Sequence, residues 1–101
     1  MKSGTTIINT ARGPVMDEEA LVAALESGRV RSCGLDVYEN EPKVHPGLRN
    51  NPHVMLLPHM GTWTIETQTD MEKWNIANVR SALVDGTLKS RVPEQANEPY
   101  Y

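Results

Sequence analysis

The sequence is short of several things, and each shortage narrows the reading. A single cysteine, Cys33, stands among 101 residues, so neither an internal disulfide nor a cysteine-built zinc site can form. A reducing compartment suits such a chain, and a cytoplasmic location is the expectation. No apolar run approaches the roughly 20 residues of a membrane span, and the opening Met1 to Thr6 stretch has no signal-peptide core. Charge of neither sign dominates. The formal net charge is −3, which offers no basic surplus for nucleic acid or an anionic membrane. No segment repeats, and no spacing of His, Cys and Asp suits a metal ion. Seven prolines and seven glycines lie scattered between apolar runs, where they punctuate structure rather than form a low-complexity tract. With 39% apolar residues, the chain reads as a single soluble domain.

What is present has an ordered rhythm. Thr5-Thr6-Ile7-Ile8-Asn9 is rich in β-formers and ends at the turn-prone Ala11-Arg12-Gly13-Pro14. Asp17 is a natural N-cap, with Glu18 and Glu19 in a first helical turn where the dipole favours anions. Ala20, Leu21, Ala24 and Leu25 recur at helical spacing up to Gly28, a C-terminal stop. From Ser32 to Val37, Cys33, Leu35 and Val37 alternate as in a strand. A loop rich in Pro, Asn and His runs from Glu39 to Pro52, and Val54 to Leu57 forms a third strand. A long helix then begins near Thr62 or Thr64 and ends at Gly86. Its apolar members Met71, Trp74, Ile76, Ala77, Val79, Ala82 and Leu83 occupy more than one stripe, which predicts burial on two sides. Residues 87–101 have little periodicity and read as a tail.

Strands alternating with helices imply a parallel sheet with right-handed crossovers, and such sheets bind ligands at the carboxyl ends of their strands. Those ends carry Arg12 after the first strand, Asp36, Glu39 and Glu41 after the second, and His59 after the third. Singly, each has an ordinary reading: a solvated Arg, an acidic surface pair, a turn histidine. Together they put a cation, carboxylates and an imidazole along one edge. His45 before Pro46 and His53 before the third strand read as surface or turn residues, and Cys33 reads as core packing.

Three motifs now stand out: Asn9-Thr10-Ala11-Arg12-Gly13, Leu35-Asp36-Val37-Tyr38-x-x-Glu41-Pro42, and Pro58-His59-x-Gly61. Their order and spacing over residues 1–86 closely resemble the C-terminal half of the nucleotide-binding domain of NAD(P)-dependent D-2-hydroxyacid dehydrogenases. The stretch from Gly61 to Gly86, with Val92-Pro93-Glu94-Gln95 after it, is most similar to the glyoxylate/hydroxypyruvate reductase-like branch. The resemblance implies an α/β fold, the second half of a Rossmann-type doubly wound parallel sheet. Residues 1–86 would form that half-domain, and residues 87–101 a tail returning to a substrate domain. It further implies a catalytic set of Arg12, Glu41 and His59, with Glu39 a neighbour of the glutamate. Thr10, Ala11, Arg12, Asp36, His59, Gly61 and Thr62 would contact the cofactor, NAD or NADP, with Asp36 holding the nicotinamide carboxamide.

The chemistry suits these residue types. Reducing a 2-oxo acid needs a hydride on the carbonyl carbon and a proton on its oxygen. An imidazole, with an ordinary pKa near ~6.5, is suited to deliver that proton near neutral pH. A carboxylate beside the ring orients it and favours its charged form. A guanidinium matches the substrate carboxylate with two parallel hydrogen bonds and stabilises charge developing on the ketone. Pro58 ends the strand, and Gly61 allows close approach of backbone to ligand. Trp63 stands where many members of the family carry a small residue, either shaping the pocket or packing on a neighbouring domain or subunit.

The family's G-x-G-x-x-G fingerprint is missing, since Gly4, Gly13, Gly28, Gly34, Gly47, Gly61 and Gly86 have no such spacing. The expectation is therefore a piece of an enzyme, marginally stable and inactive alone, with one sheet edge open. The intact protein is expected to be a homodimer acting on a small 2-oxo or 2-hydroxy acid, with no nucleic-acid or membrane partner. The choice of 2-oxo acid and of NADH or NADPH stays open. A second class of reading is a non-enzymatic NAD-sensing module like the family's corepressor relatives; a third is an inactive remnant.

Overall fold

Three short parallel strands lie side by side in chain order: β1 (Thr5–Asn9), β2 (Val30–Leu35) and β3 (Val54–Leu56). The structure, a computed structural model, describes residues 1–97. The chain divides into two units, residues 1–61 and residues 62 onward.

In the first unit β2 is central. Ile7 pairs with Cys33 and Asn9 with Leu35 on one side, while Cys33 pairs with Val54 and Leu35 with Leu56 on the other. The parallel connection from β1 to β2 runs through a 3-10 turn (Gly13–Val15) and helix α1 (Glu18–Glu26). α1 starts as its sequence predicts: the Asp17 side chain accepts from Ala20 N at 2.9 Å. It ends where Gly28 takes φ +71°, a left-handed conformation that costs glycine little. Leu21, Val22 and Leu25 of α1 pack on Val30, Cys33 and Leu35 of β2 to form the core. Cys33 is buried there, and burial pushes its thiol pKa up, so it packs rather than reacts.

Two local expectations are corrected. β2 spans Val30–Leu35 rather than Ser32 to Val37, because its neighbours end at Asn9 and Leu56, both opposite Leu35. The 39–52 segment is not all loop: Pro46–Arg49 form a single helical turn, α2, whose Leu48 is fully buried. His45 caps that turn, its Nδ1 accepting from Gly47 N at 3.1 Å, so this histidine has the turn role expected of it.

Within this unit α1 packs on one face of the sheet. Ile8 and Met55 both stand opposite Gly34 on the other face, and they are 73% and 65% exposed. About 25 cal/mol of stabilisation is forgone for each Å² of apolar surface left in water.

The second unit holds helix α3 (Ile65–Asp85), capped by Thr64, whose side chain accepts from Thr67 N at 3.1 Å. It ends at Gly86 with φ +65°. The predicted burial on two sides is not found: Met71, Trp74, Ile76, Val79 and Leu83 are all exposed, and Ser81 is the helix's buried residue. A helical stripe records which faces can be covered, not whether the helix's own unit covers them. Residues after Gly86 return along the helix, with Asn78 Oδ1 accepting from Lys89 N at 2.8 Å and Trp74 Nε1 donating to Ser90 Oγ at 2.7 Å. The last four residues of the expected tail, 98–101, lie outside the described residues. No described helix is long and apolar enough to cross a membrane.

Candidate functional site

The ends of β1, β2 and β3 release their chains at one edge of the sheet, and each exit is fastened by a side chain. Asn9, buried at the end of β1, accepts from Ala11 N at 3.1 Å and donates to the Arg12 carbonyl at 3.2 Å. This Asx-type turn fixes Thr10, Ala11 and Arg12 immediately past the strand. Arg12 is exposed and uses one of its five donors on the Ala11 carbonyl, at 2.7 Å. Gly13 follows where a Cβ would collide with the Tyr38 carbonyl, so glycine alone lets the first exit approach the second this closely.

Past β2, Asp36 is 4% exposed. Its Oδ1 accepts from Met60 N at 2.7 Å and its Oδ2 from Gly61 N at 2.8 Å. Charge-assisted bonds of this kind are the stronger class, and here they turn the backbone sharply after Pro58. The turn places His59 at φ +55°, a left-handed conformation costly for any residue with a Cβ. Gly61 fits the same turn, since a Cβ there would press on Asp36 Oδ2 at 3.0 Å.

The imidazole so placed meets Glu41. Glu41 Oε2 lies 2.9 Å from His59 Nδ1, and Glu41 Oε1 accepts from Tyr38 N at 3.0 Å. The hydrogen bond from His59 holds the Glu41 carboxyl below its ordinary pKa, helped by the Tyr38 N–H and, more weakly, by the charge of Arg12. An ionised carboxylate only accepts, so the proton between the two belongs to Nδ1 and a neutral ring keeps Nε2 as its acceptor. Tyr38 OH ties the exits of β2 and β3, donating to Leu57 O at 2.6 Å with Leu35 O at 3.2 Å. Beside the pair is a cleft of ≈ 340 Å³ walled by Pro42, Val44, Leu56, Leu57 and Pro58.

Of the residues singled out from sequence, Glu41 and His59 are in direct contact, and Arg12 is near enough for its charge to act on Glu41. Asp36 and Gly61 meet through the turn at His59. Thr10 and Ala11 stay on the β1 exit, Ala11 N reaching Asn9. Thr62 opens the second unit, where its carbonyl accepts from Thr64 N and Gln68 Nε2. Glu39 faces away from the pair: its Oε2 accepts from Glu18 N at 3.3 Å, supplying an acceptor to the first turn of α1. Sequence reasoning missed Asn9, Tyr38 and Glu18. An Asn ending a strand before a turn was a usable signal for the first; the others act across the chain. Among the described residues, no group of three His, Cys, Asp or Glu side chains could hold a metal ion.

Comparison with known proteins agrees over this unit. The family model for the NAD binding domain of D-isomer specific 2-hydroxyacid dehydrogenases matches residues 1–61. The chain is 63% identical over 97 residues to 4-methyl-2-oxopentanoate reductase A of Aspergillus oryzae, covering 96% of this chain and 30% of that protein. A glyoxylate reductase structure from Paecilomyes thermophila superposes with a TM-score of 0.89 at 63% identity, covering 94% of this chain and 29% of the other. An NADPH-dependent glyoxylate/hydroxypyruvate reductase from Sinorhizobium meliloti, in complex with NADP and malonate, gives 0.86 at 36% identity, over 92% and 29%. The chain thus spans about 30% of the length of the curated relatives it matches.

Proposed function

The chain belongs to the D-isomer specific 2-hydroxyacid dehydrogenase family, in its NAD binding domain, and from that premise we propose that it supplies the acid/base half of an NAD(P)-dependent 2-oxo acid reductase. The observation that carries this reading is the 2.9 Å contact between His59 Nδ1 and Glu41, with the carboxyl held in its ionised form. Glu41 orients the ring through Nδ1; His59 gives its Nε2 proton to the ketone oxygen as the substrate is reduced, and neutral His59 takes it back in the reverse direction. Arg12 clamps the substrate carboxylate and steadies the charge developing on the ketone. A nicotinamide ring, when bound, supplies the hydride.

Cofactor contacts are assigned to the Thr10–Arg12 turn, to Asp36, and to His59, Gly61 and Thr62. Each Asp36 oxygen accepts one backbone N–H, and a carboxylate oxygen has a second lone pair with which to meet a carboxamide. The substrate range we propose runs from glyoxylate and hydroxypyruvate to branched 2-oxo acids. The names of the relatives support both ends, and the apolar walls of the cleft suit the latter.

The test is a chimera in which residues 1–97 replace the matching segment of the Aspergillus oryzae relative. NADH and NADPH oxidation would be followed with glyoxylate, hydroxypyruvate and 4-methyl-2-oxopentanoate. Turnover of at least one acid that disappears on His59→Ala is expected. A folded chimera that binds cofactor but reduces none of them would overturn the reading and favour an NAD-sensing module.

A further inference from the structure

The loop from Glu39 to His45 carries Glu41 and has little to hold it internally: a short bridge between Asn40 and Lys43, with Lys43 N donating to Asn40 O at 2.9 Å, beside the one bond that Glu41 Oε1 accepts from the preceding Tyr38 N. A glutamate on so slight a loop would sample many positions, and orienting a histidine requires one. The two ends of the loop are fastened from α1. Glu18 Oε1 accepts from Glu39 N at 2.8 Å and Glu18 Oε2 accepts from His45 N at 3.2 Å, so one carboxylate grips both ends of the loop. Glu39 answers through its own carboxylate, which accepts from Glu18 N. The far end is doubled by Glu19, whose Oε2 lies 2.9 Å from His45 Nε2.

Glu18 is 7% exposed. A first-turn glutamate meets the helix dipole equally well in water, so dipole stabilisation does not call for burial. Taking a carboxylate out of water is costly unless its oxygens are satisfied. Both oxygens of Glu18 are satisfied by backbone N–H groups of the one loop that bears Glu41. We propose that Glu18 is a positioning residue for the Glu41–His59 pair: by clasping residues 39 and 45 it holds Glu41 at bonding distance from the imidazole. Its importance for turnover rests on the acid/base reading given above; its effect on the pair does not.

The experiment is a ¹³C NMR titration of the Glu41 carboxyl in the full chain, in the wild type and in Glu18→Gln. Gln keeps the shape of Glu18 but replaces one accepting oxygen with an NH2 that cannot accept. The sign of the shift is decisive. Removing a negative charge near Glu41 would by itself lower the Glu41 pKa, whereas losing the His59 bond raises it towards the ordinary carboxyl value. Glu18→Gln is expected to raise it. His59→Gln is the reference and should raise it as well. Glu39→Gln, which leaves both bonds accepted by Glu18 in place, should not.

A Glu41 pKa unmoved or lowered in Glu18→Gln, with the His59→Gln rise intact, overturns the clasp and leaves the pair standing. No rise in His59→Gln overturns the pair and the clasp together. If Glu18→Gln loses its dispersed amide spectrum, Glu18→Asp serves instead, keeping the charge while shortening the reach by one methylene. Unfolding of both variants would make Glu18 a residue of the fold rather than of the pair, and would also overturn the proposal.

Discussion

Tyr38 donates its hydroxyl hydrogen to the Leu57 carbonyl across 2.6 Å, and so ties the exit of β2 to the exit of β3 one residue before Pro58. The same oxygen lies 3.2 Å from the Leu35 carbonyl. Tyr38→Phe keeps the ring in the core and removes only this tie. We expect a stability loss of about 1 kcal/mol, the usual net worth of a hydrogen bond. A thermal melt would show it as a drop of roughly 4–8 °C for a domain of this size. A Tm within a degree of the wild type would show that the hydroxyl contributes nothing net.

His59 is held at φ +55° by the two bonds from Asp36 to Met60 N and Gly61 N. Substitutions there should rank by tolerance of the left-handed region, with Gly and Asn the most stable and the β-branched Val the least. The spread between Gly and Val is expected to be roughly 1–2 kcal/mol, the cost of a Cβ in that conformation. Urea unfolding of the three variants measures it. Val matching Gly would mean that the turn relaxes freely.

At Gly13 the conflict is with a neighbour rather than with the residue's own backbone. A Cβ there would run into the Tyr38 carbonyl, so Gly13→Ala must push the β1 exit away from the β2 exit. Overpacking of this kind costs about 1–3 kcal/mol. It should also move the Arg12 and Tyr38 amide resonances, which heteronuclear NMR reads directly. Unshifted resonances would count against the close approach.

Glu41 bears on the acid limit of stability, and Tyr38, together with the buried Cys33 thiol, on the alkaline one. The His59 bond lowers the Glu41 pKa below its ordinary value of 4.5, so its contribution is present above the unfolded-state value. That contribution is lost as pH falls through the folded-state value. Burial, opposed by the Leu57 bond but aided by the Asp36, Glu18 and Glu41 charges, raises Tyr38 above 10.0. Its contribution is present below the unfolded value and is lost as pH rises through the folded one. Urea midpoints should therefore form a plateau that falls on both sides. Tyr38→Phe should make the alkaline limb shallower, leaving the Cys33 share, and His59→Gln the acid limb; a limb unchanged by its own variant would remove that group as a source.

In the chimera, His59→Ala should lower kcat by about 10²–10⁴-fold, the usual range for a general acid. Glu41→Gln should cost less, since the ring remains. Because the two act as a unit, the double variant should be no worse than His59→Ala alone. Multiplicative losses in steady-state kinetics would mean that Glu41 acts independently of His59.

Local rules made much of this unit legible in the sequence. The cap at Asp17 and the stops at Gly28 and Gly86 depend on neighbours a few residues away, and each is found where the pattern put it; of the two starts the pattern left open for the long helix, Thr64 is the cap. Parallel topology, which sends every strand end to one edge, put Asp36, Glu39 and Glu41 on the edge that carries His59, and the family resemblance picked Glu41 out of the three. What could not be read was long-range and specific. Glu18 looked like an ordinary first-turn acid, yet its partners lie 21 and 27 residues away. Tyr38 reaches 19 residues along the chain. The end of β2 depended on where its neighbours stop, and the apolar stripes of α3 could not reveal whether anything in this chain would cover them.

The chain order of the sheet also bears on when the site can exist. The first exit supplies Arg12, the second Asp36 and Glu41, the third His59, and the bonds joining the second exit to the third span 18 to 25 residues. Contacts of such separation form late, after the loops between them have closed. His59 comes last in the chain, and its strained backbone is held only once Asp36 is in place. A folding chain that has made β1, α1 and β2 therefore has no partly working site, only a carboxylate awaiting its imidazole. The proposed acid/base pair is thus complete only when the third strand has docked.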